Sequence, residues 1–184
     1  MEKIISAFNK NAENAVFYGL EEVLKYRTPV FVCIGSDLVL GDSLGPLVGT
    51  LIKSKNKKAL IYGTLNYPIT AKEINYAKEY IKSAHPNSLI ISIDAAIGSE
   101  EDIGLIKIKD SGIKPGLGVD KDLDEIGDIS IIGIVASKSK NHNNLYNFTR
   151  LNLVYKLAET ISSGIDLYIE RTTNMRYNNY VSAK

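Results

Sequence analysis

VFVCIGSDLVLGDSLGPLVGTLIK, residues 30–53, decides the fold. It opens on VFVCIG, 30–35, an apolar run rich in β-branched residues, the pattern of a strand covered on both faces of a parallel sheet. It closes on LGPLVGTLIK, which reads as a helix with Pro46 in the first turn, where a missing N–H leaves no bond unmade. A strand feeding a helix needs only a short polar connector. This one carries Asp37 and Asp42 among Gly35, Gly41 and Gly45, so it combines charge with residues that let backbones approach closely.

Outward from this stretch the pattern alternates. Before it, NAENAVFYGLEEVLKY (11–26) places Ala15, Val16, Leu20, Val23 and Leu24 near helical spacing. After it come a short strand, ALIYGTL (59–65), and a helix, TAKEINYAKEYIKSA (70–84), which a Thr70 to Glu73 capping box should open. LIISID then predicts a third strand within 88–94, closed by Asp94. GLIKIKD (104–110) alternates apolar residues with lysine, which predicts a strand with one wet face near a sheet edge. A glycine-rich loop, SGIKPGLGVDKDLDEIGD, leads to another buried-type strand, ISIIGIVA (129–136). The helix expected at 145–161 has Leu145, Phe148, Leu151, Val154, Tyr155, Ala158 and Ile161 on its inner side. From Gly164 to Lys184 the chain is polar and weakly patterned, and its end, RYNNYVSAK (176–184), reads as a tail that frays or docks on a partner. Strands alternating with helices give an α/β fold, a three-layer sandwich around a mainly parallel sheet.

At 184 residues the chain has the length of one domain, expected to span 1–184. Lys+Arg of 22 against Asp+Glu of 21 creates no global field for nucleic acid or an anionic membrane. The one cysteine, Cys33, cannot form an intramolecular disulfide, and its place in an apolar strand predicts a buried, inert thiol. MEKIISAFNKNAENAV lacks the apolar core and small-residue cleavage site of a leader, and no apolar run approaches a membrane span. The expected setting is cytoplasmic.

The chemistry concentrates at the carboxyl ends of the strands, where ligands gather in open α/β sheets. Parallel strands would carry Asp42 and Asp94 to the same edge. Each has an ordinary role: Asp42 as a helix N-cap, Asp94 as an acceptor for loop amides. Together they form a pair that cannot both ionise easily, so one carboxyl keeps its proton and the two divide acid and base roles towards water. The same pair could instead hold a divalent cation. No phosphate cradle, dinucleotide turn or Ser nucleophile elbow is present. His85 reads as a surface helix end and His142 as a loop histidine.

Three separated motifs, CIGSDLVLGDSLGPLVG, IDAAIG and DSGIKPGLGVDKDLDEIGDISIIGIV, resemble the YyaC family of sporulation proteins over roughly residues 28–162. That family is related to the spore germination protease and, more distantly, to hydrogenase maturation endopeptidases. The resemblance implies a phosphorylase/hydrolase-like fold. It also implies that the acids proposed to act in the germination protease fall on Asp42 and Asp94. In the hydrogenase proteases the matching positions help bind nickel. The germination protease has a histidine where this chain has Lys114 in DSGIKPGLG, and Lys114 reads as an exposed loop lysine. Where both protease groups have Gly-Asn after the first strand, this chain has Gly35, Ser36 and Asp37.

The expected function is therefore a germination-protease-type endopeptidase acting on a sporulation or spore protein, with Asp42 and Asp94 activating water. Asp37, Gly41, Gly45, Gly116 and Gly118 are expected at the substrate. No cofactor is expected, although Asp42 and Asp94 are the ligands if a divalent ion binds. Two alternatives use the same crevice: a non-catalytic protein- or peptide-binding sporulation factor, and a metal-dependent hydrolase. The partner is a protein or peptide, with no nucleic acid or membrane, and the composition is compatible with a homo-oligomer. By resemblance the setting is a sporulating cell or forespore.

Overall fold

The computed structural model describes residues 2–114, 125–137 and 149–182, with side chains in the last segment up to residue 175. Six strands form one sheet: β1 (Glu2–Ser6), β2 (Val30–Cys33), β3 (Leu60–Tyr62), β4 (Ile90–Gly98), β5 (Leu105–Lys109) and β6 (Ile129–Ser137). Four helices accompany them among the described residues: α1 (Ala12–Leu24), α2 (Leu44–Lys55), α3 (Ile74–Ala84) and α4 (Leu151–Ser182). The strand order is β1-β5-β6-β4-β2-β3. The pairs β3/β2, β2/β4 and β4/β6 are parallel, and β6/β5 and β5/β1 are antiparallel.

The alternation of β2 shows how the layers form. Phe31 and Cys33 point into a core shared with Leu20 of α1, Val48 of α2 and Leu157 of α4. Val30 and Val32 point the other way, to Ile74 and Ile81 of α3. A strand buried on both faces has no use for a polar residue, which is why VFVC is apolar throughout. Burial also pushes the Cys33 thiol far up, so it stays protonated and unreactive.

The structure departs from the sequence reading at four places. β1 is a strand the sequence does not announce, and it takes the edge that GLIKIKD was expected to approach, leaving β5 second from the edge. β4 does not stop at Asp94 but runs on to Gly98 against β6. Glu73 does reach back to the Thr70 N–H at 3.0 Å and also accepts from the Thr70 hydroxyl, but that hydroxyl accepts the Lys72 N–H rather than the Glu73 N–H, and α3 begins only at Ile74. Finally, the polar stretch after Gly164 continues α4 as helix. Gly164 lets that helix close on α1, since a Cβ there would lie 2.6 Å from Val16, and Ile165, Tyr168 and Thr172 extend the buried stripe. Tyr168 donates its hydroxyl to the Arg27 carbonyl at 2.8 Å. Of the residues expected inward on this helix, Val154, Ala158 and Ile161 are buried, but Leu151 and Tyr155 face out at 60% and 47% exposure. Leu145 and Phe148 lie outside the described residues.

Candidate functional site

The site is built where β2 ends. Gly35 turns the chain at φ +135°, a conformation that side chains other than glycine rarely adopt. A Cβ there would sit 2.0 Å from the Asp42 carbonyl oxygen, because the Ser36 N–H donates to that carbonyl at 3.1 Å and folds the loop back on itself. Asp42 lies in a 3-10 turn, Leu40–Ser43, that runs directly into α2. Gly45 in the first turn of α2 presses on the strand, where a Cβ would meet the Ile34 carbonyl oxygen at 2.1 Å. One turn on, Gly49 does the same against the Gly63 carbonyl after β3. The connector glycines thus dock α2 on the strand ends and hold Asp42 over the sheet.

Neither helix start uses a carboxylate cap. Ser43, the residue at the N-cap of α2, makes no side-chain capping bond, and its hydroxyl donates to the Leu40 carbonyl at 2.7 Å. Asp42 is half-buried, and desolvation raises its pKa, partly offset by a backbone hydrogen bond from Ser36.

Asp94 sits on β4 one residue beyond Ile93, the last residue paired with β2. It faces the side away from Ile93 and Ala95, which belong to the larger core. One carboxylate oxygen, Oδ1, accepts the Ala95 N–H at 2.8 Å. Its pKa stands well above the ordinary carboxylate range, first because burial desolvates the charge, second because the Asp42 carboxylate lies near enough to repel it. The Ala95 N–H opposes both effects. Residues 52 positions apart in sequence (94 − 42) therefore meet electrostatically. Both carboxyls therefore resist ionisation, Asp94 the more strongly, and the two titrate as a coupled pair.

The remaining expected residues divide. Asp37 is exposed on the loop, and it is not among the causes of either shift. Gly41 is buried within the 3-10 turn. Gly116, Gly118 and His142 lie outside the described residues. Lys114 is exposed. His85 ends α3 but is half-buried and hydrogen-bonded to the Tyr62 hydroxyl at 2.7 Å. Sequence reasoning did not single out Gly49 or Gly63, the latter at φ +89° with its Cβ position 1.9 Å from the Cys33 carbonyl. The dipeptide Gly-Thr after a short apolar run was the available signal.

Among the described residues no group of three or more His, Cys, Asp or Glu could hold a metal ion. Among the described residues Asp42 and Asp94 offer a cation two carboxylates, fewer and harder ligands than a resident nickel or zinc takes. No helix of the described residues is long and apolar enough to cross a membrane.

Residues 4–164 match the family described as "Protein of unknown function (DUF1256)". The chain belongs to this family. A relative, the uncharacterized protein YyaC of Bacillus subtilis (strain 168), is 40% identical over 139 residues, which is 75% of this chain and 68% of that one. This DUF1256 fold is similar to the crystal structure of HycI, a [NiFe] hydrogenase maturation protease from Thermococcus kodakarensis KOD1. The TM-score is 0.57 and the identity 20%, over 82% of this chain and 98% of HycI. At that identity the likeness is one of fold, and it includes the α/β architecture expected from the sequence.

Proposed function

We propose that this chain is an endopeptidase of the germination-protease type that hydrolyses a sporulation or spore protein with Asp42 and Asp94. The observation that carries the reading is that Asp42, in the turn after β2, lies near enough to Asp94 of β4 to oppose its ionisation. Its resemblance to the germination protease at both positions and its fold in common with a maturation protease support it.

The ionised Asp42 takes a proton from a water molecule as the water oxygen bonds to the peptide carbonyl carbon. Protonated Asp94 gives its proton to the carbonyl oxygen, so no naked oxyanion forms. Collapse of the tetrahedral adduct returns that proton, breaks the C–N bond and passes the other from Asp42 to the leaving amine. One water is consumed and the dyad ends in its starting state. The Ala95 N–H fixes Oδ1 of Asp94 and leaves the second oxygen to carry the proton. Gly41 shapes the turn that presents Asp42, and exposed Asp37 is assigned to substrate contact.

The test is to incubate wild type and the Asp42→Asn, Asp94→Asn double variant with extract of sporulating cells and map new peptide termini by mass spectrometry. Termini produced by wild type alone support the reading. Identical termini with both folded proteins sink it and leave a peptide-binding factor. Activity abolished by chelator and restored by a divalent ion would replace it with a metal-dependent hydrolase.

A further inference from the structure

Loops at the ends of strands usually carry polar residues, yet the loops that follow β2 and β3 are largely apolar. SDLVL (36–40) and TLNYP (64–68) hold one charged side chain between them, Asp37. The two most exposed large apolar side chains among the described residues lie on these loops: Leu38 at 90% and Tyr67 at 81%. Neither is on loose chain. The Leu38 N–H donates to the Ser36 hydroxyl at 3.2 Å and the Ser36 N–H to the Asp42 carbonyl at 3.1 Å, so Leu38 belongs to the same closed loop as Asp42. Thr64 and Tyr67 exchange N–H to carbonyl bonds, each of 3.1 Å, and the Leu65 N–H donates to the Thr50 hydroxyl of α2 at 2.9 Å. The loop bases are joined as well, since Ile34 pairs with Ile69 and the Gly35 N–H donates to the Ile69 carbonyl at 2.9 Å. Asp37 is exposed, and among the described residues no lysine or arginine pairs with it.

A single exposed leucine needs no explanation, but two large apolar side chains on joined, internally bonded loops beside the aspartate pair form a prepared surface. We infer that these loops read the substrate: Leu38 and Tyr67 take a bulky apolar side chain, and Asp37 takes a lysine or arginine close to it in the same segment. The inference rests on the peptidase reading for what the surface serves, and it names the substrate class, a polypeptide segment with apolar and basic residues beside the cleaved bond. The loops are ordered before the substrate arrives, so little binding energy is lost in fixing them. Burial of Leu38 and Tyr67 against an apolar partner supplies affinity, while the unpaired carboxylate of Asp37 selects the sign of the neighbouring charge. A folded substrate keeps its bulky apolar side chains inside, so the surface favours segments that are already unfolded.

The experiment selects peptides from a random display library on three immobilised proteins: the Asp42→Asn, Asp94→Asn double variant, the same protein with Leu38→Ser and Tyr67→Ser added, and the same protein with Asp37→Lys added. All three changed side chains are exposed, and thermal unfolding checks that each protein is folded. The double variant should enrich peptides that join a bulky apolar residue to lysine or arginine. The serine changes should weaken their binding about tenfold or more, and Asp37→Lys should exchange the basic residue for an acidic one. Selected peptides are then offered to wild type and to Leu38→Ser, Tyr67→Ser with both aspartates intact, where KM should rise about tenfold while kcat holds. Enrichment of the same peptides on all three proteins overturns the inference, as does the failure to enrich any. Peptides that wild type cuts with a KM the serine changes do not move overturn the reading surface and leave the peptidase standing. Peptides that lose binding with the serine changes but are never cut support the surface and remove the peptidase.

Discussion

The two ends of the sheet are built on different principles. The parallel end, β3-β2-β4, is sandwiched between α3 and the α1, α2 and α4 layer, and its strands are apolar on both faces. The antiparallel end, β6-β5-β1, alternates: Ile106 and Ile108 face the core while Lys107 and Lys109 face outward, and on β1 Ile5 is buried beside Ile4 at 57% exposure. Ion pairs trim the antiparallel end, with Lys109 to Glu2 at 3.4 Å and Lys3 to Glu22 at 2.7 Å. At the parallel end the Asp42 carboxylate instead opposes the ionisation of Asp94. Charges at one end are paired and solvated, and at the other they are desolvated and opposed. On the proposed reading, that difference is stability given up for chemistry at the parallel end.

The largest effect separating the two ends should be catalytic. Replacing Asp94 or Asp42 by Asn should lower cleavage of the mapped substrate about 100-fold or more, the scale of general acid–base catalysis. The wild-type rate should fall as pH rises through the raised pKa of Asp94. The same substitution should stabilise the fold. Asp94 holds its proton more tightly folded than unfolded, so stability declines as pH climbs from the ordinary carboxylate range through its raised folded pKa. Urea titrations across pH 4–8 should therefore show Asp94→Asn gaining on wild type as pH rises. A gap that is constant across pH would mean that Asp94 is an ordinary carboxylate and that the contrast between the ends is false.

A second contrast is mechanical. Gly35→Ala and Gly104→Ala each place a side chain at positive φ, 135° and 86°. At Gly35 the new Cβ meets backbone, the Asp42 carbonyl at 2.0 Å. At Gly104 it meets the ring of Phe8 at 2.5 Å, and Phe8 is 61% exposed and free to swing. Denaturant unfolding should show a loss of about 3 kcal/mol or more for Gly35→Ala and about 1 kcal/mol for Gly104→Ala. Equal losses would remove the claim that the loop after β2 is the rigid one.

These same features explain what sequence could reveal. Residues 30–53 were legible because double-sided burial leaves an unbroken apolar run, and an acid at its end stands out; Asp94 stood out in LIISID for the same reason. The extension of β4 through AAIG was not, because small residues carry little strand propensity and the pairing with β6 supplies what they lack. β1 was missed because EKIIS is five residues long and the register with β5, not its own pattern, makes it a strand. The end of α4 hid its stripe in Gly164, Tyr168 and Thr172, which read as polar and pack as core. The meeting of Asp42 with Asp94 was expected from strand-end placement, whereas the glycine contacts that set its geometry depend on backbone carbonyls no pattern displays.

The antiparallel end should respond to packing and little to charge. Ile5 is buried, so Ile5→Ala should lower stability by about 2 kcal/mol while leaving the pH profile of cleavage unmoved. Thermal unfolding and a pH–rate series on one preparation read both. A shifted profile would mean that the two ends are coupled through β6.

The smallest effect is the most discriminating test of the claim that this end is held by burial. Lys3 and Glu22 lie 2.7 Å apart, but their side chains remain 41% and 48% exposed, so water screens them and two flexible chains must be ordered to make the contact. Lys3→Met should change stability by about 0.5 kcal/mol or less, a difference that shrinks further at high salt. A loss comparable with that of Ile5→Ala would show that the ion pair, and not the buried isoleucine, fixes β1 on the sheet. The edge strand would then depend on charge as the site does, with the sign of the interaction reversed.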